Sequence, residues 1–222
     1  MSKLLDEVEV RVVGSLIEKQ LTTPDYYPLT LNALMHACNQ TSNRDPVVAY
    51  DERTVARALE SLREKNLVYV FYGSDSRVPK YKHVATENLH LSPPELAVMC
   101  VLMLRGAQTT GEIRGRTNRL YEFADLAEVE ATMEGLVTRD DPPLVARLPR
   151  QPGQKEARYA QLLTGEVVVS EQPPSAPRAE RAVLEVRAEN ERIAELGAQI
   201  EMLRREFSEL RQQFEDFRKQ FE

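Results

Sequence analysis

Apolar residues set the rhythm of this chain, and the rhythm changes several times. Leu5, Val8, Val12 and Leu16 are spaced three, four and four apart, with Val13 and Ile17 widening the stripe, which predicts a helix over residues 4–20. Thr22-Thr23-Pro24-Asp25 ends it, because the residue before a proline is driven out of helical geometry. Thr30 is placed to cap a second helix running to about Asn39, with Leu31, Leu34, Met35 and Cys38 turned inward. After a polar connection over residues 40–46, Asp51 caps a third helix whose Val55, Leu59 and Leu62 stack on one face. The period then drops to two. Leu67, Tyr69 and Phe71 alternate with Val68, Val70 and Tyr72, Gly73-Ser74-Asp75-Ser76 turns, and residues 78–84 return as a second strand.

The order repeats. Ser92, Pro93, Pro94 and Glu95 form a helix start ahead of the apolar run at residues 96–104, and Gly106 closes that helix. Thr110 opens a short basic helix, and Asp125 caps another whose expected buried stripe is Leu126, Val129, Met133 and Leu136. Pro142-Pro143 ends it, and residues 144–148 and 159–163 read as a second ribbon around Pro152-Gly153. Helix, helix, helix, ribbon is the winged-helix order. The expected architecture is therefore mainly α with small β wings: one winged-helix domain over residues 1–86 and another over 87–170. A Pro-rich linker at 171–177 and a coiled-coil helix at 178–222 follow.

That last helix carries the clearest periodicity. Val186, Ile193, Ile200, Phe207, Phe214 and Phe221 are seven apart, and Leu196, Leu203, Leu210 and Phe217 fill the position three residues later. A lone helix exposing this seam would be poorly soluble, so it needs a partner surface. Arg204, Arg211 and Arg218 fall at e positions and Glu206 at g, which favours a parallel homodimer over an antiparallel one. A higher oligomer, or docking on the chain's own domains, is the alternative that bulky phenylalanines at a positions leave open.

Charge refines the picture. Formal net charge is −6 over 222 residues, which argues against nonspecific polyanion binding by the whole molecule. Residues 1–86 balance 11 basic against 11 acidic side chains, whereas 87–170 and 171–222 each carry 9 against 12, so the first segment is the least unfavourable for nucleic acid. Cys38 and Cys100 lie in apolar helical runs and read as buried thiols of a reducing cytoplasm. The longest apolar run is about half of a bilayer crossing and no signal pattern is present, so a cytoplasmic protein without membrane contact is expected.

Specific segments match a known family. Glu18 to Pro24 (EKQLTTP), Tyr27-Pro28-Leu29, Ala37-Cys38-Asn39-Gln40 and Asn43-Arg44-Asp45-Pro46-Val47 resemble the bacterial YceH-like family. So do Met103 to Thr109 (MLRGAQT), Tyr121 to Asp125 (YEFAD), Ala127-Glu128-Val129-Glu130, Leu148-Pro149-Arg150 and Glu156-Ala157-Arg158-Tyr159. The resemblance covers residues 4–165 and implies two tandem winged-helix domains in a bacterial cytoplasmic protein. It implies no settled activity and carries over no catalytic residue.

A winged helix places its third helix in the major groove and lets its wing reach phosphates or the minor groove. Projection at about 100° per residue turns Arg53 and Arg57 outward near the start of the third helix, with Glu60 and Glu64 further along, and Arg77, Lys80 and Lys82 lie on the wing. These five basic residues are the candidate DNA contacts. The competing reading is a solvated charged face with Arg57 paired to Glu60. In the second domain the outward face of the third helix carries Ala127, Ala131, Glu134 and Gly135, which suits a protein contact better than a phosphate-lined groove, the competing reading being an exposed helical surface with no partner. Its basic residues lie elsewhere, at Arg114, Arg116, Arg119, Arg150, Lys155 and Arg158, where they can grip a DNA backbone or neutralise the acidic helix. In the polar connection from Asn39 to Pro46, Asn39, Gln40, Asn43 and Arg44 read first as turn residues satisfying their own backbone, the alternative being a site for an anion or partner, and Tyr26 and Tyr27 read as packing at a helix junction rather than as a base-stacking platform.

His36, His83 and His90 lack partners at metal-ligand spacing, and no phosphate loop or nucleophile motif is present, so no cofactor, metal or catalysis is expected. The leading expectation is a DNA-associated regulatory homodimer, and the alternative is a scaffold whose winged helices bind proteins.

Overall fold

A computed structural model describes residues 4–72, 78–140, 142–150, 154 and 156–165. Arg77, Lys155, the Pro-rich linker and the whole heptad seam, from Ile193 and Leu196 through Ile200, Leu203, Phe207 and Leu210 to Phe214 and Phe217, lie outside the described residues.

Among the described residues the fold is mainly helical, with seven α-helices and two small antiparallel sheets. Helix α1 spans Glu7–Thr22. It starts later than its apolar stripe because Asp6 and Glu9 close a capping box, each side chain bonding the other's backbone N–H at 2.8 and 2.7 Å. Strand β1 (Leu29–Thr30) leads directly into α2 (Leu31–Cys38), capped by the Thr30 hydroxyl. Helix α3 (Glu52–Glu64) is capped by Asp51. Strands β2 (Val68–Phe71) and β3 (Lys80–His83) form the ribbon, and β1 pairs with the far side of β3 to give the order β1-β3-β2. The two-residue β1 was not legible in the hydropathy pattern.

A single turn, α4 (Ala85–Asn88), spans the boundary expected at residue 86. Then come α5 (Pro93–Arg105), α6 (Thr110–Thr117), α7 (Leu126–Val137), β4 (Val145–Arg147) and β5 (Tyr159–Gln161). Gln108, just ahead of α6, exchanges backbone hydrogen bonds with Tyr159 at 3.0 and 2.8 Å.

Helices α1 and α5 form the middle of the described residues. Residues 9–17 of α1 and 96–104 of α5 are buried without interruption, so each is enclosed on every side rather than along one stripe. They meet at Gly14, where an added Cβ would stand 3.0–3.1 Å from Leu104 and Met103. The Cys100 thiol lies 3.5 Å from the Gly14 carbonyl oxygen. One hydrophobic core thus runs from Leu5 to Leu163, and the Leu5 N–H donates to the Leu163 carbonyl at 2.7 Å. Cys38 and Cys100 are both buried, and burial pushes both thiols up.

Two placements differ from expectation. Leu126, assigned to the buried stripe of α7, is 40% exposed, because it is the first residue after the Asp125 cap and the stripe begins at Val129. Tyr26 is 79% exposed rather than packed, since the 3-10 turn Pro24–Tyr26 points it off the surface, while Tyr27 turns inward. No helix among the described residues is long and apolar enough to cross a membrane.

Candidate nucleic-acid interface

The α3 cap fixes the geometry of the first candidate surface. Asp51 accepts the Thr54 N–H at 2.7 Å, and these hydrogen bonds, helped by the nearby Arg53 and Arg57 charges, hold its carboxyl below the usual range. Val55, Ala58, Leu59 and Leu62 are buried, so Arg53, Arg57, Glu60 and Glu64 face solvent. Arg57 makes no ion pair with Glu60. Neither Arg53 nor Arg57 forms a hydrogen bond or ion pair with any described residue.

Register completes the surface. Tyr69 lies opposite Lys82 and Phe71 opposite Lys80, and since alternate residues share a face, all four belong to one side of the ribbon. Tyr69 is 57% and Phe71 43% exposed, and the Lys82 ammonium sits 5.5 Å from the centre of the Tyr69 ring, within cation–π range. Two cations therefore stand among exposed aromatic rings. On the other side, Val68 and His83 are buried. The ribbon is anchored there: the His83 backbone N–H donates to the Tyr27 hydroxyl at 2.7 Å. The buried imidazole has neither ring nitrogen paired, and desolvation lowers its pKa to about 4.

The second half arranges its basic residues differently. Arg158 donates to the Ala107 carbonyl and to Glu112, both at 2.8 Å, and Arg116 lies 3.7 Å from the same carboxylate. These two arginines are thus engaged with α6 and not with a carboxylate of α7. Arg114 is exposed and donates to the Ala124 carbonyl at 3.3 Å. Arg119 and Arg150 are exposed. On α7, Ala127, Ala131, Glu134 and Gly135 are all exposed, and an added Cβ at Gly135 would meet nothing nearer than Glu95 at 3.9 Å. Among the described residues, no group of three His, Cys, Asp or Glu side chains converges as metal ligands.

Sequence reasoning missed several charged residues that hold the first surface in place. Arg11 is buried and donates to the carbonyls of Cys38 and Pro46 at 3.1 and 2.6 Å. Glu9, also buried, takes two hydrogen bonds from Lys65 at 2.7 and 2.6 Å, which fastens the end of α3 to the start of α1. Burial pushes the Glu9 carboxyl up, but hydrogen bonds from Lys65 and Ser61 outweigh it and leave the pKa lowered. The signal for both was a charge inside an otherwise apolar run, Val8-Glu9-Val10-Arg11-Val12. Asn39 exchanges hydrogen bonds with the Tyr50 backbone at 2.8 Å, as a turn residue does, whereas Arg44 departs from that expectation: it is buried and its guanidinium reaches out of the loop to the Glu18 carboxylate of α1.

Residues 5–154 match a family model described as "Protein of unknown function, DUF480". The chain is 56% identical over 182 residues to a UPF0502 protein of Opitutus terrae, covering 81% of this chain and 79% of the relative. It is 56% identical over 196 residues to one of Geotalea daltonii, covering 88% of each. A UPF0502 protein of Geobacter sulfurreducens is 55% identical over 203 residues, 91% of each chain. The chain belongs to this DUF480/UPF0502 family of bacterial proteins.

Proposed function

We propose that this member of the family is a non-enzymatic, DNA-associated regulatory protein of the cytoplasm. In this reading it is built from two winged helices and dimerised through its C-terminal heptad seam. The first winged helix offers α3 to the major groove and the β2–β3 ribbon to the flanking backbone. The observation that carries the reading is that Arg53 and Arg57 are exposed and pair with none of the described residues, while Arg11, Arg44 and Arg158 are all engaged within the fold. Exposed guanidinium groups near a helix start suit phosphate and guanine edges alike. Lys80 and Lys82 extend the same charge along the ribbon, and Tyr69 and Phe71 add ring faces beside it.

The two-winged-helix reading draws on a correspondence of bonds. In the first half Leu67 accepts from Val84, and β1 pairs outside β3; in the second, Leu144 accepts from Leu162, and Gln108 bridges to β5. For the C-terminal seam, the 203-residue alignment with the Geobacter sulfurreducens relative is longer than the 165 residues preceding Glu166, so the likeness continues into the heptad segment.

Fluorescence anisotropy of random duplex DNA, at low and moderate salt, tests the reading. Wild type is expected to bind at low salt, and Arg53→Ala/Arg57→Ala to bind at least about tenfold more weakly, since two lost phosphate or base contacts are each worth about 1 kcal/mol or more. No binding at low salt, or binding indifferent to the double substitution, overturns it. A second reading, a protein-binding scaffold, is favoured by α7. Leu126 is exposed beside a face of Ala127, Ala131 and Gly135, and its acidic setting repels phosphates.

A further inference from the structure

Between α1, α5 and α6, where the two halves of the molecule meet, lies a cleft of about 60 Å³. It is lined by Cys100 and Leu104 of α5, both buried, by Arg105, Arg116 and Arg119, and by Glu18 of α1. The carboxylate of Glu18 is already held by both terminal nitrogens of Arg44. Arg116 reaches one carboxylate, Glu112, at 3.7 Å, and Arg158 holds that group more closely at 2.8 Å. Arg105 donates to the side-chain oxygen of Asn43, a neutral acceptor. Arg119 makes no hydrogen bond or ion pair with the described residues. The cleft is thus lined by three guanidinium groups whose charge its own carboxylates do not cancel.

We infer that this cleft is a binding site for a small oxyanion, the phosphate group of free phosphate or of a phosphomonoester, clamped by Arg105, Arg116 and Arg119. The cleft has room for one tetrahedral anion. The chemistry agrees, since guanidinium forks match the oxygens of a phosphate and strengthen against a charged acceptor at low polarity. The Arg105 guanidinium is pushed below its ordinary value first by burial and next by Arg116, with Glu18 and Asp45 offsetting part of this, and an anion between the two arginines removes that repulsion. The walls come from both halves of the molecule, so an occupant would tie α6 to α1 and α5.

Isothermal titration of the full chain with potassium phosphate and with glycerol phosphate, each against potassium chloride at matched ionic strength, tests the site. One saturable equivalent is expected, with Arg105→Gln/Arg119→Ala weakening it at least tenfold and Arg147→Ala, exposed on β4, leaving it unchanged. A matching rise in melting temperature with phosphate should appear in wild type and vanish in the double variant, whose own melting temperature without phosphate reports whether it is folded. Equal affinity for the two ligands assigns free phosphate; tighter glycerol phosphate assigns an organic phosphate. No saturation beyond chloride, equal weakening by Arg147→Ala, or saturation by duplex DNA alone overturns the inference.

Discussion

Arg44 grips Glu18 with both terminal nitrogens, at 3.1 and 2.6 Å, and its side chain is completely buried. The same guanidinium donates to the carbonyls of Ala37 and Asn43 and to Gln40, so α1, the end of α2 and the following loop converge on one residue. Arg44→Met should cost about 3 kcal/mol, because it strands a largely buried carboxylate and removes the donors of two carbonyls. Adding Glu18→Gln should recover part of that loss, a coupling of about 1–3 kcal/mol. Urea unfolding of the four proteins measures it, and strictly additive losses would show that the pair is not a unit.

Gly14 sets how closely α1 approaches α5. Alanine there brings opposing effects of similar size, a gain of about 1 kcal/mol in helix propensity against crowding of Leu104 and Met103. Valine removes the ambiguity. Its branches enter a space already 3.0–3.1 Å from neighbouring carbons at the first atom, and Gly14→Val should destabilise by at least about 2 kcal/mol. A denaturant midpoint unchanged from wild type would mean that the two helices separate without penalty.

Which of these features the sequence discloses depends on how local their causes are. Thr30, Asp51, Ser92 and Asp125 each begin a helix where the pattern expects one, because a cap acts within three residues. The exposure of Arg53 and Arg57 was legible for a similar reason, helical projection from Val55 and Leu59. Arg11 was not, since its partners are carbonyls at Cys38 and Pro46, and only the folded loop brings them to α1. The arginine cleft needed still more, because Arg105, Arg116 and Arg119 meet Glu18 only after two distant helices pack. The engagement of Arg158 by Glu112 likewise depends on the return of β5 beside α6.

His83 gives the fold a pH dependence. Its pKa is lowered to about 4 by burial, from 6.5 in an exposed chain, so the folded state keeps the ring neutral while the unfolded state takes up a proton. Stability from this group is complete above about pH 6.5 and is lost as pH falls toward 4, in all on the order of 3 kcal/mol. Below that the folded ring protonates too and the loss stops. Denaturation of wild type and His83→Leu at pH 7 and 4.5 isolates the effect, since carboxylates such as Glu9 and Glu112 contribute to both. The variant should lose less stability on acidification, and an equal loss would assign the acid sensitivity to those carboxylates.

Lys80 and Lys82 distinguish a wing that holds phosphates from one that merely solvates the ribbon. Both sit on the outward face, and neither has a carboxylate partner among the described residues; the one ring contact of Lys82, with Tyr69, leaves its ammonium free to accept an anion as well. Each phosphate neutralised contributes about −0.9 to the slope of log affinity against log salt. Lys80→Gln/Lys82→Gln should therefore reduce the slope of duplex binding by about 2 and weaken binding uniformly across sequences. Arg53→Ala/Arg57→Ala should differ in kind if either arginine reads a base edge: it would lose discrimination between sequences as well as affinity. Titrations of two unrelated duplexes at three salt concentrations resolve the two patterns. An unchanged slope for the lysine variant would remove the ribbon from the interface and leave α3 as the whole of the proposed contact.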